Sequence, residues 1–191
     1  MKIIGIITRK NISEEGHNID YIYSNISNMI YGCGAIPIGI ILNKDYKRVI
    51  DACDGVIFEG GDNFQIYDRE ALIYCYKKNI PTLGICLGMQ LMGSLFNGKL
   101  IDIENHKNTY HEIIIDKKSK LYSILKKERI KVNSRHKSVL KNTNLKVTSK
   151  SIDGFIESIE DSSKKYFIGI QWHPEDINQE EIFKKLIESI Y

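Results

Sequence analysis

The sequence predicts an α/β protein with a doubly wound, mostly parallel sheet flanked by helices, and with additional short antiparallel strands in its second half. In the first half, short apolar runs alternate with segments of helical periodicity, which is typical of parallel strands joined by crossover helices. In the second half, several strand-like segments follow one another directly. The composition, 42% hydrophobic and 27% charged over 191 residues, is that of a globular chain that can bury a full core.

The first strand–helix–strand unit begins at the N-terminus. Residues 2–8 form the first predicted strand, an apolar run that ends at charged residues. The first helix is predicted to begin at Asn18, because apolar residues then recur on one helical face, and Gly32 and Gly34 stop it. Residues 35–40 form the second predicted strand.

Two further units follow. A short helix over residues 43–53 leads to the third strand, residues 55–58, which ends in a polar turn that contains two glycines. Asp68 is predicted to cap a helix that runs to about Lys78. The fourth strand, residues 80–85, comes next.

The helix after the fourth strand is predicted over residues 89–96 and is closed by Gly98. A last amphipathic helix is predicted after Asn178. No repeat or linker divides the chain, so we expect residues 1–191 to form one flavodoxin-like domain. Five short strands are predicted between these two helices, at residues 111–115, 129–134, 145–149, 155–159 and 166–172.

Composition also limits the partners. The longest apolar stretch, residues 35–42, is far shorter than the ~20 residues that cross a bilayer, so no membrane segment is predicted. Four cysteines without a CxxC pair indicate a reducing, cytoplasmic location. Residues 117–150 carry twelve Lys or Arg and one acidic residue. Such a surface attracts nucleic acid or phosphorylated molecules, or is simply solvated. No nucleic-acid module accompanies it, and no nucleic-acid partner is predicted.

The strongest chemical signal is Cys86, which lies between a predicted buried strand and a helix. Gly84 precedes it by two residues and Gly88 follows by two, which is the pattern of a nucleophile elbow with Cys in place of Ser. The dipole of the following helix favours a thiolate over a thiol at this position. The alternative is a buried structural cysteine in a glycine-rich turn.

A thiolate nucleophile needs a base, and the base needs a group that orients it. His173 and Glu175 lie at the end of the last predicted strand. In an extended chain, residues two apart point to the same side, so Glu175 can accept from one ring nitrogen while the other faces Cys86. Alone, this segment is also compatible with a surface turn. Together with the elbow, it predicts a Cys86–His173–Glu175 triad.

Four segments carry a resemblance to a known family. GICLGMQ (residues 84–90) and QWHPE (residues 171–175) resemble the class I glutamine amidotransferases. VNSRH (residues 132–136) and DGFIESIE (residues 153–160) are similar to motifs of the γ-glutamyl hydrolase branch of that group, peptidase family C26. The resemblance covers nearly the whole chain and implies the same Cys–His–Glu triad.

The resemblance implies a cysteine-dependent hydrolase. It would cleave the γ-glutamyl amide bond of a small-molecule conjugate through a γ-glutamyl thioester, releasing glutamate and an amine. The reaction needs backbone donors for the oxyanion, for which the amides of Leu87 and Gly61 are the candidates. Gln90, Ser134 and His136 are the candidate substrate-binding residues, although Gln90 could equally cap local backbone and His136 could be merely exposed.

Substrate identity stays open. Only 24 positions separate Asp62 from Cys86, where larger members of the γ-glutamyl hydrolase branch carry a longer insert. The short chain and the basic segment favour a leaving group that bears phosphate, such as that of γ-glutamyl-CDP-amidate. One alternative is a glutaminase subunit that delivers ammonia to a separate synthase; another is a non-catalytic binding module. A synthase or a second copy of the chain is the expected protein partner.

Neither a metal nor a cofactor is predicted. His106 and His111 are five residues apart and carry no accompanying Cys or carboxylate pattern, which is poor support for a metal site.

Overall fold

The computed structural model describes residues 1–190. The helices are α1 (Ser24–Gly32), α2 (Tyr46–Asp51), α3 (Asp68–Lys78), α4 (Leu87–Leu95), α5 (Lys120–Leu125) and α6 (Glu180–Glu188), with a 3-10 turn at Pro174–Asp176. The strands are β1 (Ile3–Ile7), β2 (Arg9–Ile12), β3 (Asn18–Tyr21), β4 (Ile36–Ile40), β5 (Gly55–Phe58), β6 (Thr82–Ile85), β7 (Lys99–Asp102), β8 (Lys107–Ile115), β9 (Arg129–Arg135), β10 (Ser138–Asn142), β11 (Lys146–Ser151), β12 (Ile156–Glu160) and β13 (Phe167–Ile170).

The main sheet has nine strands within the described residues, in the order β4-β1-β5-β6-β13-β12-β11-β8-β9. The strands from β4 to β13 pair in parallel, and those from β13 to β9 pair antiparallel. The parallel half has the 2-1-3-4-5 strand order of flavodoxin-like folds, in which ligands bind beyond the carboxyl ends of the strands. The predicted fold class is confirmed.

Two apolar clusters cover the two faces of the sheet. One contains buried residues of α1, α5 and α6, and the other contains buried residues of α2, α3 and α4. Side chains along β1 and β5 alternate between the clusters, as the two-residue period of a strand requires. Helices on both faces therefore leave the ends of the parallel strands as the open edge. None of the helices within residues 1–190 is both long and apolar enough to span a bilayer.

The predicted helix from Asn18 is wrong in its first part. Residues Asn18–Tyr21 form β3, which pairs antiparallel with β2 as a hairpin, and α1 begins at Ser24. Gly16, with φ at 84°, closes the turn of this hairpin through a hydrogen bond to Ser13. The apolar pattern that predicted the helix extends back into β3, because the strand also carries apolar side chains.

Several polar elements were not predicted. β7 and β10 form a separate two-stranded ladder, and α5 is capped by Ser119, whose hydroxyl accepts from the backbone N–H of Tyr122. These segments are only four to six residues long, which is too short to show a clear apolar period. The predicted role of Asp68 is also wrong, because Asp68 is the first residue of α3 and makes no side-chain cap bond to that helix.

Helix α4 packs unusually closely on the sheet. A Cβ atom on Gly88 would lie 2.1 Å from the backbone oxygen of Phe58 in β5. A Cβ atom on Gly84 would lie 2.7 Å from the backbone of Gly88. Both neighbours are backbone atoms, which cannot rotate away as a side chain can. The close approach of α4 to β5 and β6 therefore requires glycine at both positions.

We expect Gly88→Ala to lower the free energy of unfolding by about 3 kcal/mol or more, because the new methyl group overpacks a rigid contact. Gly32→Ala is the matched control, since Gly32 ends α1 with open space around it. The control should leave stability unchanged or raise it by up to about 1 kcal/mol. Urea denaturation measures both. Equal effects of the two substitutions would contradict this packing argument.

Candidate active site

Cys86 occupies the tight turn between β6 and α4. Its backbone has φ 51° and ψ −104°, a region that a residue with a side chain rarely adopts. The glycines at both ±2 positions remove the steric obstacles to this turn, as described above. Cys86 is 8% exposed and lies at the N-terminus of α4, where unpaired backbone N–H groups favour negative charge.

His173 reaches Cys86 because β6 and β13 are paired in parallel. Ile85 is aligned with Ile170, and the backbone N–H of Cys86 donates to the carbonyl of Ile170 at 2.8 Å. The chain beyond β13 therefore leaves the sheet beside the elbow, and His173 and Cys86 line the same cavity and interact electrostatically. The structure thus brings together two residues that are 87 positions apart in the sequence.

Glu175 holds the other side of the imidazole ring. Its Oε1 lies 2.7 Å from Nδ1 of His173. The expected pairing is present, but its expected cause is wrong. Pro174–Asp176 forms a 3-10 turn rather than an extended segment, and this turn brings the Glu175 carboxylate back to the ring.

The electrostatics of the site favour a charged imidazole. Burial of His173 opposes its protonation, but interactions with Cys86 and Glu175 outweigh burial and raise the pKa of His173 to about 10. A ring that is protonated at neutral pH and lies beside the sulfur can give its proton to a departing group.

Two amide side chains that sequence reasoning missed support this pair. Asn133 holds the backbone of His173 from both sides, donating to its carbonyl at 3.1 Å and accepting from its N–H at 2.9 Å. Gln171 places its amide nitrogen 3.5 Å from the sulfur of Cys86. Asn133 belongs to the VNSRH motif and Gln171 to the QWHPE motif. The motifs therefore pointed to these residues, but the spacing of the motifs in the sequence did not predict which atoms they contact.

The turn after β5 forms the opposite wall. A Cβ atom on Gly60 would lie 2.9 Å from Cε1 of His173, so only glycine lets this backbone approach the imidazole. Gly61 follows it, and a Cβ atom there would lie 3.1 Å from Cδ of Arg9 and 3.3 Å from Cδ2 of Leu87. Gly60, rather than the predicted Gly61, is the residue that lies against His173.

A buried ion pair fixes the position of this turn. The guanidinium of Arg9 and the carboxylate of Asp68 lie 2.8 Å apart, with side chains that are 3% and 1% exposed. Arg9 also donates to the backbone carbonyl of Glu59. Asp68 accepts from the backbone N–H of Gln65 as well. Since these groups are almost fully buried, removing either charged partner would leave the other uncompensated.

Two cavities open on the sulfur of Cys86. One, of about 190 Å³, is lined by His173, Glu175, Tyr23 and both glycines of the turn. The second, of about 510 Å³, extends over Leu87 and Gln90 towards three basic residues. These basic residues are Lys107, Arg135 and Lys137. Small substrates could therefore approach the sulfur from either side of the Gly61–Asp62 backbone, which lines both cavities.

The three candidate substrate-binding residues lie in different environments. Gln90 lines the larger cavity, and its amide nitrogen donates to the carbonyl of Ser138 at 2.8 Å. Ser134 is 1% exposed, lines neither cavity, and donates its hydroxyl to the carbonyl of His106. His136 lines the larger cavity, but its side chain is almost completely buried and lies beside Glu157.

Comparison with known proteins identifies the family of the chain. The family model of peptidase C26 matches residues 64–175. A glutamine amidotransferase-like protein of Rickettsia prowazekii is 26% identical, covering 86% of this chain and 87% of that protein. A glutamine-hydrolysing GMP synthase of Lactobacillus gasseri is 38% identical over 131 residues, which span 66% of this chain and 25% of the synthase.

Solved structures share the fold. A Thermoplasma acidophilum protein described as part of a GMP synthase has a TM-score of 0.80 at 15% identity, covering all of this chain and 94% of that one. The glutaminase domain of Trypanosoma brucei CTPS has a TM-score of 0.79 at 15% identity, with the same coverage. The chain therefore belongs to the peptidase C26 family and is an amidohydrolase of the glutamine amidotransferase type.

Glu59 generates a testable pH dependence. Burial raises the pKa of its carboxyl to about 7 from a usual 4.5, opposed by the Tyr23 N–H, Arg9 and His173 and reinforced by Glu175. The folded protein therefore binds a proton more tightly than the unfolded chain does. The stability that the protonated Glu59 carboxyl contributes is fully present below about pH 4.5 and is lost as the pH rises to about 7.

We expect the free energy of unfolding of Glu59→Gln, relative to the wild type, to rise by up to about 3 kcal/mol between pH 4.5 and pH 8. Urea denaturation of both proteins across this range measures the difference. Subtracting the two free energies of unfolding cancels the pH dependence that other titrating groups give to both proteins. A constant difference across the range would show that Glu59 has no raised pKa.

Proposed function

We propose that the protein is a hydrolase that uses Cys86 to cleave the γ-glutamyl amide bond of a small conjugate. The observation that carries this proposal is the contact of Cys86 with a His173 ring that Glu175 holds by Nδ1. In such an arrangement of three side chains, the imidazole activates the sulfur nucleophile and later supplies a proton to the leaving nitrogen.

In the first step, the sulfur of Cys86 attacks the γ-carbonyl carbon. The carbon–nitrogen bond breaks as His173 gives its proton to the departing nitrogen, which leaves a γ-glutamyl thioester. In the second step, His173 removes a proton from water, the hydroxide attacks the thioester carbonyl, and the carbon–sulfur bond breaks, which releases glutamate and leaves Cys86 as the thiolate beside protonated His173. Glu175 orients the ring and stabilises its charged form in both steps.

In this proposal two backbone amides stabilise the oxyanion. Leu87 is the first residue of α4, so its N–H has no partner within the helix. Gly61 lines both cavities beside Cys86, as Leu87 lines the larger one. Removal of one such donor typically costs about 3–4 kcal/mol in transition-state stabilisation. Gly60 would keep the turn close to His173.

The larger cavity supports a leaving group that bears phosphate. Lys107 and Lys137 are exposed at this cavity and form no ion pair with another described residue, while Arg135 pairs with Asp176. Lysine ammonium and arginine guanidinium groups are direct partners of phosphate oxygens. A nucleotide-linked amide such as γ-glutamyl-CDP-amidate would place its γ-glutamyl part at the sulfur and its phosphates over these cations.

Two further expectations accompany this proposal. We take the whole chain as one domain, which is supported by a sheet whose neighbouring strands come from both halves of the sequence. All four cysteines are free thiols, which supports a reducing compartment such as the cytoplasm.

The second candidate is a glutaminase subunit that delivers ammonia to a separate synthase. The likeness to the glutamine-hydrolysing GMP synthase favours it, since this chain spans 25% of that enzyme. In this case glutamine would be the substrate, and the synthase would occupy or complete the larger cavity.

We expect Cys86→Ala to abolish turnover while leaving the fold intact, because the strained turn tolerates a smaller side chain and only the nucleophile is lost. Cys33→Ala is the matched control, since Cys33 lies beside Glu180 in α6, away from both cavities. Steady-state release of glutamate measures turnover, and circular dichroism measures the fold. Full turnover by Cys86→Ala would contradict the proposal.

The same assay separates the candidates when the wild-type chain is given a substrate panel. The panel contains L-glutamine, an uncharged γ-glutamyl amide and a phosphate-bearing γ-glutamyl amide. Rapid cleavage of the phosphate-bearing compound by the isolated chain supports the hydrolase. Cleavage of L-glutamine that appears only after a synthase is added supports the glutaminase subunit. No cleavage, with Cys86 still reactive to iodoacetamide, supports a non-catalytic binding module.

A further inference from the structure

A second cluster of ionisable side chains lies beside the larger cavity and takes no part in the proposed bond-making and proton-transfer steps. It contains His106 before β8, His111 in β8, His136 after β9 and Glu157 in β12. One ligand atom from each residue lies within 4.8 Å of the others. The cluster joins three segments of the antiparallel half of the sheet that are well separated in the sequence.

The side chains converge on one oxygen atom without bonding to it. Oε1 of Glu157 lies 3.6 Å from Nε2 of His111, 3.7 Å from Nε2 of His136 and 4.0 Å from Nδ1 of His106. Normal hydrogen bonds to a carboxylate are about 2.7–3.2 Å long, so these contacts are too long. Within residues 1–190, neither carboxylate oxygen of Glu157 has a hydrogen-bond partner, although the side chain is fully buried.

A buried carboxylate without a partner needs an explanation, because burial of an isolated charge is strongly unfavourable. The facing nitrogens of His106, His111 and His136 also lack hydrogen-bond partners among the described residues. All four groups thus present free lone pairs to one small volume. A cation in that volume would satisfy them together.

We propose that His106, His111, His136 and Glu157 bind one zinc ion. Three imidazoles and one carboxylate are a ligand set that zinc accepts in tetrahedral geometry. With bonds of about 2.0–2.2 Å, the ligand atoms of such a site lie roughly 3.3–3.5 Å apart. The observed separations of 3.6, 3.7 and 4.0 Å from Glu157 exceed this spacing by about 0.1–0.7 Å, and all the ligand atoms, which lie within 4.8 Å of one another, would close in on the ion.

Asp153 supplies a second, independent indication. Its Oδ2 lies 2.8 Å from Nε2 of His106, so the ring is held with Nδ1 turned towards the cluster. A carboxylate that bonds the outer nitrogen of a metal-binding histidine is a common feature of zinc sites. The charges also balance, because one Zn²⁺ offsets the carboxylates of Glu157 and Asp153.

The ion would be structural. Four protein ligands complete a tetrahedral zinc site and leave no position for water or substrate. The ion would tie the loop before β8, the end of β9 and β12 together. It would thereby fix His136 and the basic residues Arg135 and Lys137 on either side of it, which line the larger cavity. This inference is independent of the reaction proposed for Cys86.

The spacing of His106 and His111 alone did not predict a metal site, because these two residues supply only half of the proposed ligands. The missing ligands lie in the two motifs of the family resemblance, VNSRH and DGFIESIE. The first supplies His136, and the second supplies Glu157 and the orienting carboxylate of Asp153.

The test uses the full chain with its cysteines alkylated by iodoacetamide and its metals removed by a chelator. Zinc chloride is titrated against a chromophoric competitor, and cobalt chloride is added to a second sample for absorption spectroscopy. We expect one zinc per chain and a tetrahedral cobalt spectrum without sulfur-to-metal charge transfer. Less than a tenth of an equivalent of tightly bound zinc would overturn the proposal.

Variants locate the ion. Glu157→Gln should lose the stoichiometric site, and Asp153→Asn should keep it with an affinity weakened about 10–100-fold. His17→Ala is the matched control, since His17 is an exposed histidine in the β2–β3 hairpin, and it should bind zinc as the wild type does. His173→Ala checks the second group of possible ligands, His173, Glu175 and Asp176.

The outcomes are decisive in either direction. Loss of zinc in His173→Ala with full binding in Glu157→Gln would overturn the proposal. If Glu157→Gln does not fold, as judged by circular dichroism, Asp153→Asn decides, because Asp153 is half exposed and its substitution should not disturb the core. Unchanged affinity in Asp153→Asn would then overturn the proposal.

Discussion

The parallel pairing of β6 with β13 is the constraint on which the rest of the site depends. It aligns Ile85 with Ile170, and the first N–H beyond β6, that of Cys86, continues the ladder to Ile170. A shift of the pairing by one residue would turn every side chain of β13 to the opposite face of the sheet. Gln171 and His173 would then no longer face the sulfur. The pairing of these two strands thus brings two distant sequence segments together at one site.

The site concentrates features that would otherwise destabilise the protein. Cys86 has a strained backbone, Glu59 is a buried carboxyl with a raised pKa, and Arg9 and Asp68 form an ion pair with almost no access to water. These features are tolerated because the surrounding strands bury large apolar surfaces on both faces. They lie at the carboxyl edge of the parallel strands, where this sheet topology leaves a crevice. Their common location supports the assignment of this edge as the reactive one.

The sequence predicted the parallel half of the fold and the members of the candidate triad, since both have strong local signals. Apolar runs marked β1, β5 and β6, and the glycines around Cys86 marked the elbow. It failed where structure depends on contacts between distant polar segments. Strand β3 lies in the segment predicted as the start of the first helix, and Gly60 carried no signal because only the position of His173 explains it. The cluster around Glu157 was missed because its four residues come from three strands or strand ends.

Detection of a covalent intermediate on Cys86 is the most direct test of the account. The protein is mixed with a cleavable γ-glutamyl compound, quenched rapidly in acid, digested and examined by mass spectrometry. The account predicts a gain of one glutamyl unit on the peptide that contains Cys86, and no turnover by protein whose Cys86 has first been alkylated. Undiminished turnover after alkylation of Cys86, or a glutamyl adduct on another residue, would contradict it.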